Sequence, residues 1–379
     1  MKIIALGFMS VFILTMVSLS LQERPRLREF GIKTGILEPG PLNAITDVAG
    51  VKVGHVTLIE GDSIRTGVTA ILPHECNLFQ EKVPAAVYVA NGFGKITGTT
   101  QIEELGNLET PIILTNTLSV PTAADAVIDY ILSLPQNERV ESVNPVVGET
   151  NDGWLNDIRG RHVKKDHVLA AIKNAKTGPV EEGAVGAGTG TICYNYKGGI
   201  GTSSRKLAAQ RGGFTVGVLV QTNHGGVFQI NGIPFDRKPG EFPMTSAPEG
   251  DGTLDPVSEG SCMVVVATDA PLDSRNLKRL AKRALLGIAR TGGYYSGSSG
   301  DYAIAFSTAK DVRIPHRASG PTQTVTLLRN EQMSQLFLAA AEAAEEAILN
   351  SLFKATTMKG KDSRTAQALP LEKIKNIMK

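Results

Sequence analysis

Short apolar runs alternate with glycine and proline through the first third of the chain: Val51 to Val56, Val68 to Leu72, Ala85 to Ala90 and Ile112 to Thr115. Runs of four to eight apolar residues between turn formers predict buried strands. The spacing changes from Pro121 to Leu132, where Ala124, Val127, Ile128 and Ile131 share a helical face and Thr122 stands where a cap is expected. A glycine-dense block, Gly183 to Gln229, holds one more strand pattern, Thr215 to Val220. Gln229 to Gly260 carries five prolines and little apolar period, which predicts an exposed loop. Met263 to Ala267 is then a continuous apolar run, a buried strand. Leu277, Leu280, Ala281, Ala284, Leu285 and Ile288 form one helical face, with Asp273 as N-cap and Gly292-Gly293 as stop. Tyr302 to Phe306 predicts a strand and Met333 to Leu352 an alanine-rich helix. Lys354 to Lys379 reads as a loose basic tail with a short helical segment at Leu371 to Met378. The alternation is too irregular for a parallel crossover sheet and predicts sheets covered by helices.

Composition narrows the classes. The 379 residues carry 39 Lys+Arg against 37 Asp+Glu, a formal net charge of +2, so no basic surplus marks a nucleic-acid binder. With 42% hydrophobic and 20% charged residues the chain is globular rather than disordered. Forty glycines exceed the usual ~7% and point to tight turns or close backbone approach. At the N-terminus, Lys2 precedes an apolar stretch from Ile3 to Val17 and the small residues Ser18 and Ser20, the pattern of an export signal over residues 1–20. That stretch is shorter than the roughly 20 residues of a membrane span, and no later segment reaches that length. The expectation is an exported protein, periplasmic or secreted, with no membrane part in its mature form.

Several chemistries lack their motifs. Gly186-Ala187-Gly188-Thr189-Gly190 has the wrong spacing for a dinucleotide loop and precedes a strand-like TICYNY. The six histidines are scattered, without H-E-x-x-H, and the three cysteines Cys76, Cys193 and Cys262 form no C-x-x-C, so neither a metal nor another cofactor is expected. No G-x-S-x-G elbow is present. What stands out is the junction Ser258-Glu259-Gly260-Ser261-Cys262-Met263, a Gly-Ser bond between a proline-rich loop and an apolar strand. By itself it is a loop-to-strand turn. Were the Gly260–Ser261 bond cut, Ser261 would hold both a hydroxyl nucleophile and a free α-amine, whose pKa of about 7.7–8 suits a general base.

The junction GSCMVVVATDAPL resembles the self-cleavage site of the L-aminopeptidase/D-amidase-esterase (DmpA-type) family, which includes the β-peptidyl aminopeptidases. RPRLREFGI, GPLNAITDVAGVKVGHVTL, RTGVTAILP, VYVANGFGKITGTTQIEELG, ETPIILTNTLSV, VVGETNDGWLNDI, KGGIGTSSR, GVLVQTNHG and SGSSGDYAIAFST extend the resemblance from Arg24 to about Leu352. It implies an α/β fold, the four-layer α-β-β-α sandwich of the DmpA/ornithine-acetyltransferase-like type. It also implies an autocleaved precursor, a chain of residues 21–260 and one of 261–379 that stay associated, four such two-chain units making a homo-tetramer.

By the same resemblance, Ser261 is the nucleophile of an aminopeptidase acting on short peptides or amino-acid amides. Asn223 donates to the oxyanion, and Ser299 positions the nucleophile. Asp301, standing where the family commonly has Glu, holds the substrate's ammonium. Glu149, Asn151 and Trp154 line the substrate site. The alternatives in view are an acyltransferase of the ornithine-acetyltransferase type, which carries threonine where Ser261 stands, and a non-catalytic binding protein on the same scaffold.

Overall fold

The computed structural model describes residues 23–235, 260–318 and 320–377. The expected export signal and most of the expected Gln229 to Gly260 loop lie outside the described residues. The first strands are β1 (Lys52–Glu60), β2 (Ile64–Leu72), β3 (Glu81–Gly92), β4 (Asn107–Leu108), β5 (Ile112–Asn116) and β6 (Val146–Thr150). Then come β7 (Ile200–Lys206), β8 (Thr215–Asn223), β9 (Ser261–Thr268), β10 (Gly300–Ser307) and β11 (Ile314–Pro315). The helices are α1 (Thr99–Leu105), α2 (Val120–Ser133), α3 (Lys165–Lys173), α4 (Ser274–Ala284), α5 (Leu286–Arg290), α6 (Met333–Lys354) and α7 (Leu371–Ile377).

Two sheets stack face to face. The smaller runs β1-β2-β5-β6, and the larger runs β11-β3-β10-β9-β8-β7, with β4 also paired to β3. Pairing is antiparallel except for β5 with β6 and β9 with β10. Ile71, Leu114, Val146, Leu219, Met263, Val265, Ile304 and Phe306 fill the space between the sheets. The outer face of the small sheet packs Val68, Ile113 and Val147 on Val127, Ile131, Val168 and Ile172 of α2 and α3. The outer face of the large sheet packs Val218, Val220, Val264 and Val266 on Leu277, Leu280, Leu336 and Ile348 of α4 and α6. The layering is therefore α-β-β-α, as the resemblance implies. It also explains the unbroken apolar run of β9: both faces of the strand are buried, so both sets of alternating residues must be apolar.

Most expected strands and helices are found within a few residues of their sequence limits. The cap of α2 differs: the Asn116 side chain accepts from Ser119 N–H at 3.1 Å across a 3₁₀ turn that leads into the helix, and Thr122 lies inside it. Asp273 does cap α4, accepting from Asn276 N–H at 2.8 Å. The C-terminal segment is docked rather than loose: Met358–Lys359 pairs with Thr365–Ala366, and Leu369 and Ile374 are buried. β7 lies in the glycine-dense block, where its apolar signal is weak. Gly201 lets α6 cross it, because a Cβ there would stand 1.9 Å from the Ala347 carbonyl oxygen.

Beneath α6 is a buried ionic cluster. The fully buried Arg205 guanidinium meets Glu346 at 2.8 Å and Glu342 at 3.2 Å, and Arg28 joins Glu346 at 2.8 Å. The Glu342 carboxylate also accepts from the Ile36 and Leu37 N–H groups at 2.9 and 3.0 Å, fastening the N-terminal segment to the helix. Removing one partner of such a cluster leaves uncompensated buried charge, at a cost of about 3–5 kcal/mol. Arg205→Ala is accordingly expected to lower stability by that amount, measured as a lower urea midpoint at unchanged protein concentration.

Candidate active site

Three adjacent strand ends of the large sheet meet at Ser261. It is opposite Asn223 of β8 on one side and Gly300 of β10 on the other. The Gly300 N–H lies 3.2 Å from Ser261 Oγ and 3.1 Å from the carbonyl oxygen of Gly260. One backbone donor thus serves both the hydroxyl and the carbonyl of the bond that precedes it. Gly260 is required by packing: a Cβ there would stand 2.7 Å from His224 Cα and 3.0 Å from the Asn223 carbonyl oxygen.

The Asn223 amide is held in one orientation. Its Oδ1 accepts from Ile192 N–H at 2.9 Å, and its Nδ2 donates to the Asn151 carbonyl at 3.0 Å. A primary amide has two N–H donors, so one is left for a ligand beside Ser261. Asn151 therefore enters through its main chain, while its side chain accepts from Gly153 N–H at 2.9 Å.

Strand alternation separates the remaining residues. Ser261, Met263 and Tyr302 face the small sheet, whereas Cys262, Ala303 and, by the same alternation, Asp301 face the helices. Asp301 is 1% exposed, and neither carboxylate oxygen has a hydrogen-bond partner. Burial pushes its pKa up to about 6; the Ser299 hydroxyl, close to the carboxylate but outside hydrogen-bond geometry, acts weakly in the opposite sense. Ser299 is buried beside it with its own hydroxyl unpartnered, and its carbonyl accepts from Phe93 N–H at 3.2 Å. The hydroxyls of Ser299 and Ser261 are not hydrogen-bonded to each other.

Glu149 comes from β6 of the other sheet. One oxygen accepts from Lys95 N–H at 2.8 Å and the other from the Thr117 hydroxyl. Burial raises its pKa, and those two donors act in the opposite sense. A Cβ on Gly94 would stand 2.9 Å from the Tyr302 hydroxyl and 3.1 Å from Glu149 Oε1. A Cβ on Gly300 would stand 3.0 Å from Tyr302 Cε2 and 3.1 Å from Gly94 Cα. Glu149, Gly94, Tyr302 and Gly300 thus form a continuous wall on the face that carries the Ser261 hydroxyl.

Trp154 is half-buried and engaged elsewhere: its carbonyl accepts from Arg364 at 3.3 Å, and its ring centroid is 5.8 Å from that guanidinium. Sequence reasoning missed Gly94, Ile192, Gly300 and Tyr302. The strings NGFG and SSGDY contain three of them, but a backbone donor or a glycine that clears space has no residue-type signature.

Among the described residues no histidine or carboxylate is hydrogen-bonded to Ser261 Oγ. His224, the nearest histidine in sequence to Asn223, is buried against Tyr194 at 3.1 Å, and burial lowers its pKa to about 4. A group of three side chains with metal-ligating atoms, His74, Cys76 and Glu81, is set by backbone bonding. His74 Nδ1 accepts from Cys76 N–H at 3.2 Å, and Nε2 is bonded to the Glu81 carbonyl at 2.8 Å. What the Ser261 cluster offers is a hydroxyl, two N–H donors beside it and two buried carboxyl groups, Asp301 from the large sheet and Glu149 from the small one.

Comparison with known proteins finds relatives over most of the chain. The profile of peptidase family S58 matches residues 43–366. The β-peptidyl aminopeptidase BapA of Sphingosinicella microcystinivorans is 41% identical over 375 residues, covering 94% of this chain and 92% of its own. Among solved structures, a Burkholderia sp. β-aminopeptidase matches with a TM-score of 0.85 at 42% identity, covering 93% of this chain and 98% of its own. The L-aminopeptidase D-Ala-esterase/amidase of Ochrobactrum anthropi, described as a prototype of the serine aminopeptidases and a variant of the Ntn hydrolase fold, matches at 0.82 and 38% identity. It covers 94% of this chain and 98% of its own.

The buried Asp301 carboxylate has a stability consequence with a definite sign. Its folded pKa of about 6 lies above its ordinary 3.8. Protonated Asp301 is tolerated at low pH, and the cost of ionising it grows as pH rises between those values. In a Ser261→Ala background, which presents no free α-amine beside it, Asp301→Asn is expected to stabilise the fold by about 2–3 kcal/mol at pH 7.5 and by under about 1 kcal/mol at pH 4, read from urea midpoints at the two pH values.

Proposed function

The chain belongs to peptidase family S58 and is an aminopeptidase, and from that premise we propose that it cuts its own Gly260–Ser261 bond and then works through Ser261 as the new N-terminal residue. The observation that carries this reading is the single Gly300 N–H within hydrogen-bond reach of both Ser261 Oγ and the Gly260 carbonyl oxygen. A hydroxyl and its own preceding carbonyl are thereby held on one donor, the geometry an N-to-O acyl shift needs.

In the self-cleavage step Ser261 Oγ attacks the Gly260 carbonyl carbon. The C–N bond breaks, and the hydroxyl proton passes to the departing nitrogen, which becomes the α-amine of Ser261. Water then hydrolyses the ester, leaving a new carboxylate on Gly260. Gly300 N–H and the free Asn223 N–H stabilise the oxyanion, each such donor contributing about 10²–10³ in rate. The two chains, 21–260 and 261–379, remain joined because β9 pairs with β8 and β10 pairs with β3, so strands of the second chain lie between strands of the first.

In the aminopeptidase cycle the same hydroxyl attacks the carbonyl of a substrate's first residue. The α-amine takes the proton and returns it to the leaving amine, and water releases the amino acid. The geometry favours exchanging two roles expected from the sequence. Glu149, on the hydroxyl's face and with lone pairs to spare, is assigned the substrate ammonium, which needs a carboxylate partner in a buried pocket. Asp301, on the opposite face beside Ser299, is assigned to the new α-amine. The substrates are short peptides or amides whose first residue has a free amine. The named activities of the relatives put β-aminoacyl as well as L- and D-aminoacyl compounds in this class. Export through residues 1–20 and assembly as a tetramer of two-chain units complete the reading and rest on the sequence.

Intact mass measurement of purified protein is expected to give two chains that separate after Gly260. Ser261→Ala is expected to give one chain and no release of p-nitroaniline from aminoacyl p-nitroanilides. A cleaved or active Ser261→Ala protein overturns the assignment. Glu149→Gln is expected to mature normally yet lose about two orders of magnitude in kcat/KM on β-alanyl p-nitroanilide. This is on the scale of a charge-assisted contact in a buried site. An unchanged value assigns the ammonium elsewhere.

A further inference from the structure

Lys197 is a fully buried lysine that the reaction itself does not use. Its Nζ donates to the carbonyls of Gly188 at 2.9 Å, Thr191 at 3.0 Å and Gly198 at 2.7 Å, using all three of its protons. Burial lowers its pKa to about 7, and the Asp152 carboxylate nearby favours the charged form. A buried ammonium is costly, so its placement calls for a purpose.

The local backbone shows what the three bonds hold. Ile192–Cys193 and Tyr196–Lys197 form a small hairpin with Ile192 opposite Lys197. Its turn residues Tyr194 and Asn195 both have positive φ, at 51° and 67°. The lysine folds back over this hairpin onto the loop ending at Thr191, and the next N–H, that of Ile192, bonds Asn223 Oδ1 at 2.9 Å. Gly190 presses the same loop onto Asp152, since a Cβ there would stand 2.9 Å from Asp152 Cβ. Asp152 follows Asn151, whose carbonyl accepts the other end of the Asn223 amide at 3.0 Å. Both anchors of that amide thus belong to segments gathered around Lys197 and Asp152.

We infer that Lys197 is a positioning residue that holds the 188–192 loop so that the Asn223 amide keeps one N–H aimed at the oxyanion. This rests on the reading of Asn223 as the oxyanion donor. Without the ammonium, the three carbonyls lose their common partner, the Ile192 N–H drifts, and the amide is free to rotate. The transition state weakens while ground-state binding of substrate, which rests on Glu149, does not.

The test is a double-mutant cycle on the full-length protein with β-alanyl p-nitroanilide, with kcat referred to the self-processed fraction of each variant counted by intact mass. Lys197→Met is expected to lower kcat by about 10–100-fold, up to the scale of losing one oxyanion donor, with KM changed less than about twofold. Added to Asn223→Ala it is expected to lower kcat by no more than about a further twofold, because the positioned group is already gone. Full additivity of the two losses, or a loss confined to KM, overturns the inference while leaving Asn223 in its role. A normal kcat for Asn223→Ala alone instead overturns the underlying reading. If Lys197→Met does not fold, Lys197→Gln, which keeps two donors without the charge, is put through the same cycle. Failure of both to give folded protein assigns the lysine to folding and also overturns the inference.

Discussion

The pairing of Ser261 between Asn223 and Gly300 is the constraint on which the rest of the molecule depends. A strand that begins at Ser261 and lies inside a sheet has its first residue fixed from both sides by backbone hydrogen bonds. The parallel register of β9 with β10 brings Gly300 N–H to the hydroxyl, and the antiparallel register with β8 brings in the asparagine. A slip of one residue would turn the hydroxyl to the helix side. Such a slip is opposed by the burial of both faces of β9, where Val264 and Val266 pack on helices and Met263 and Val265 pack between the sheets.

The same alternation divides the chemistry. A side chain next to Ser261 in space need not share its face: alternation along β10 turns Asp301 to the helix side, whereas Glu149 comes from β6 of the small sheet. One carboxyl group lies toward the helix side of the large sheet, the other beside Gly94 and the Tyr302 hydroxyl. Two carboxyl groups in separate environments do not compete for one proton.

Buried charge recurs wherever backbone must be held in place. Arg205 with Glu342 and Glu346 fastens the N-terminal segment under α6, and Lys197 gathers a glycine-rich loop that has few side chains of its own to pack. In both places a polar side chain replaces the apolar contacts that the local sequence cannot supply. Such groups contribute to specificity of arrangement more than to net stability, since desolvation offsets much of their attraction.

Apolar spacing by itself determined the strand at Met263 to Ala267, the helix capped by Asp273 and the long alanine-rich helix, because burial leaves a periodic record in residue type. The junction motif likewise singled out Gly260 and Ser261, whose chemistry belongs to one residue and its neighbour. The strand at Ile200–Lys206 and the docked C-terminal segment left weaker traces, since glycine and polar residues carry little hydrophobic period. Buried Glu342 and Glu346 look like solvated helix positions until Arg205 is brought beneath them. The faces taken by Asp301 and Glu149, the donor at Gly300 and the orientation of the Asn223 amide were decided only by tertiary structure. Each depends on strand register and on backbone groups that every residue type shares, so no pattern of side chains along the chain could encode them locally.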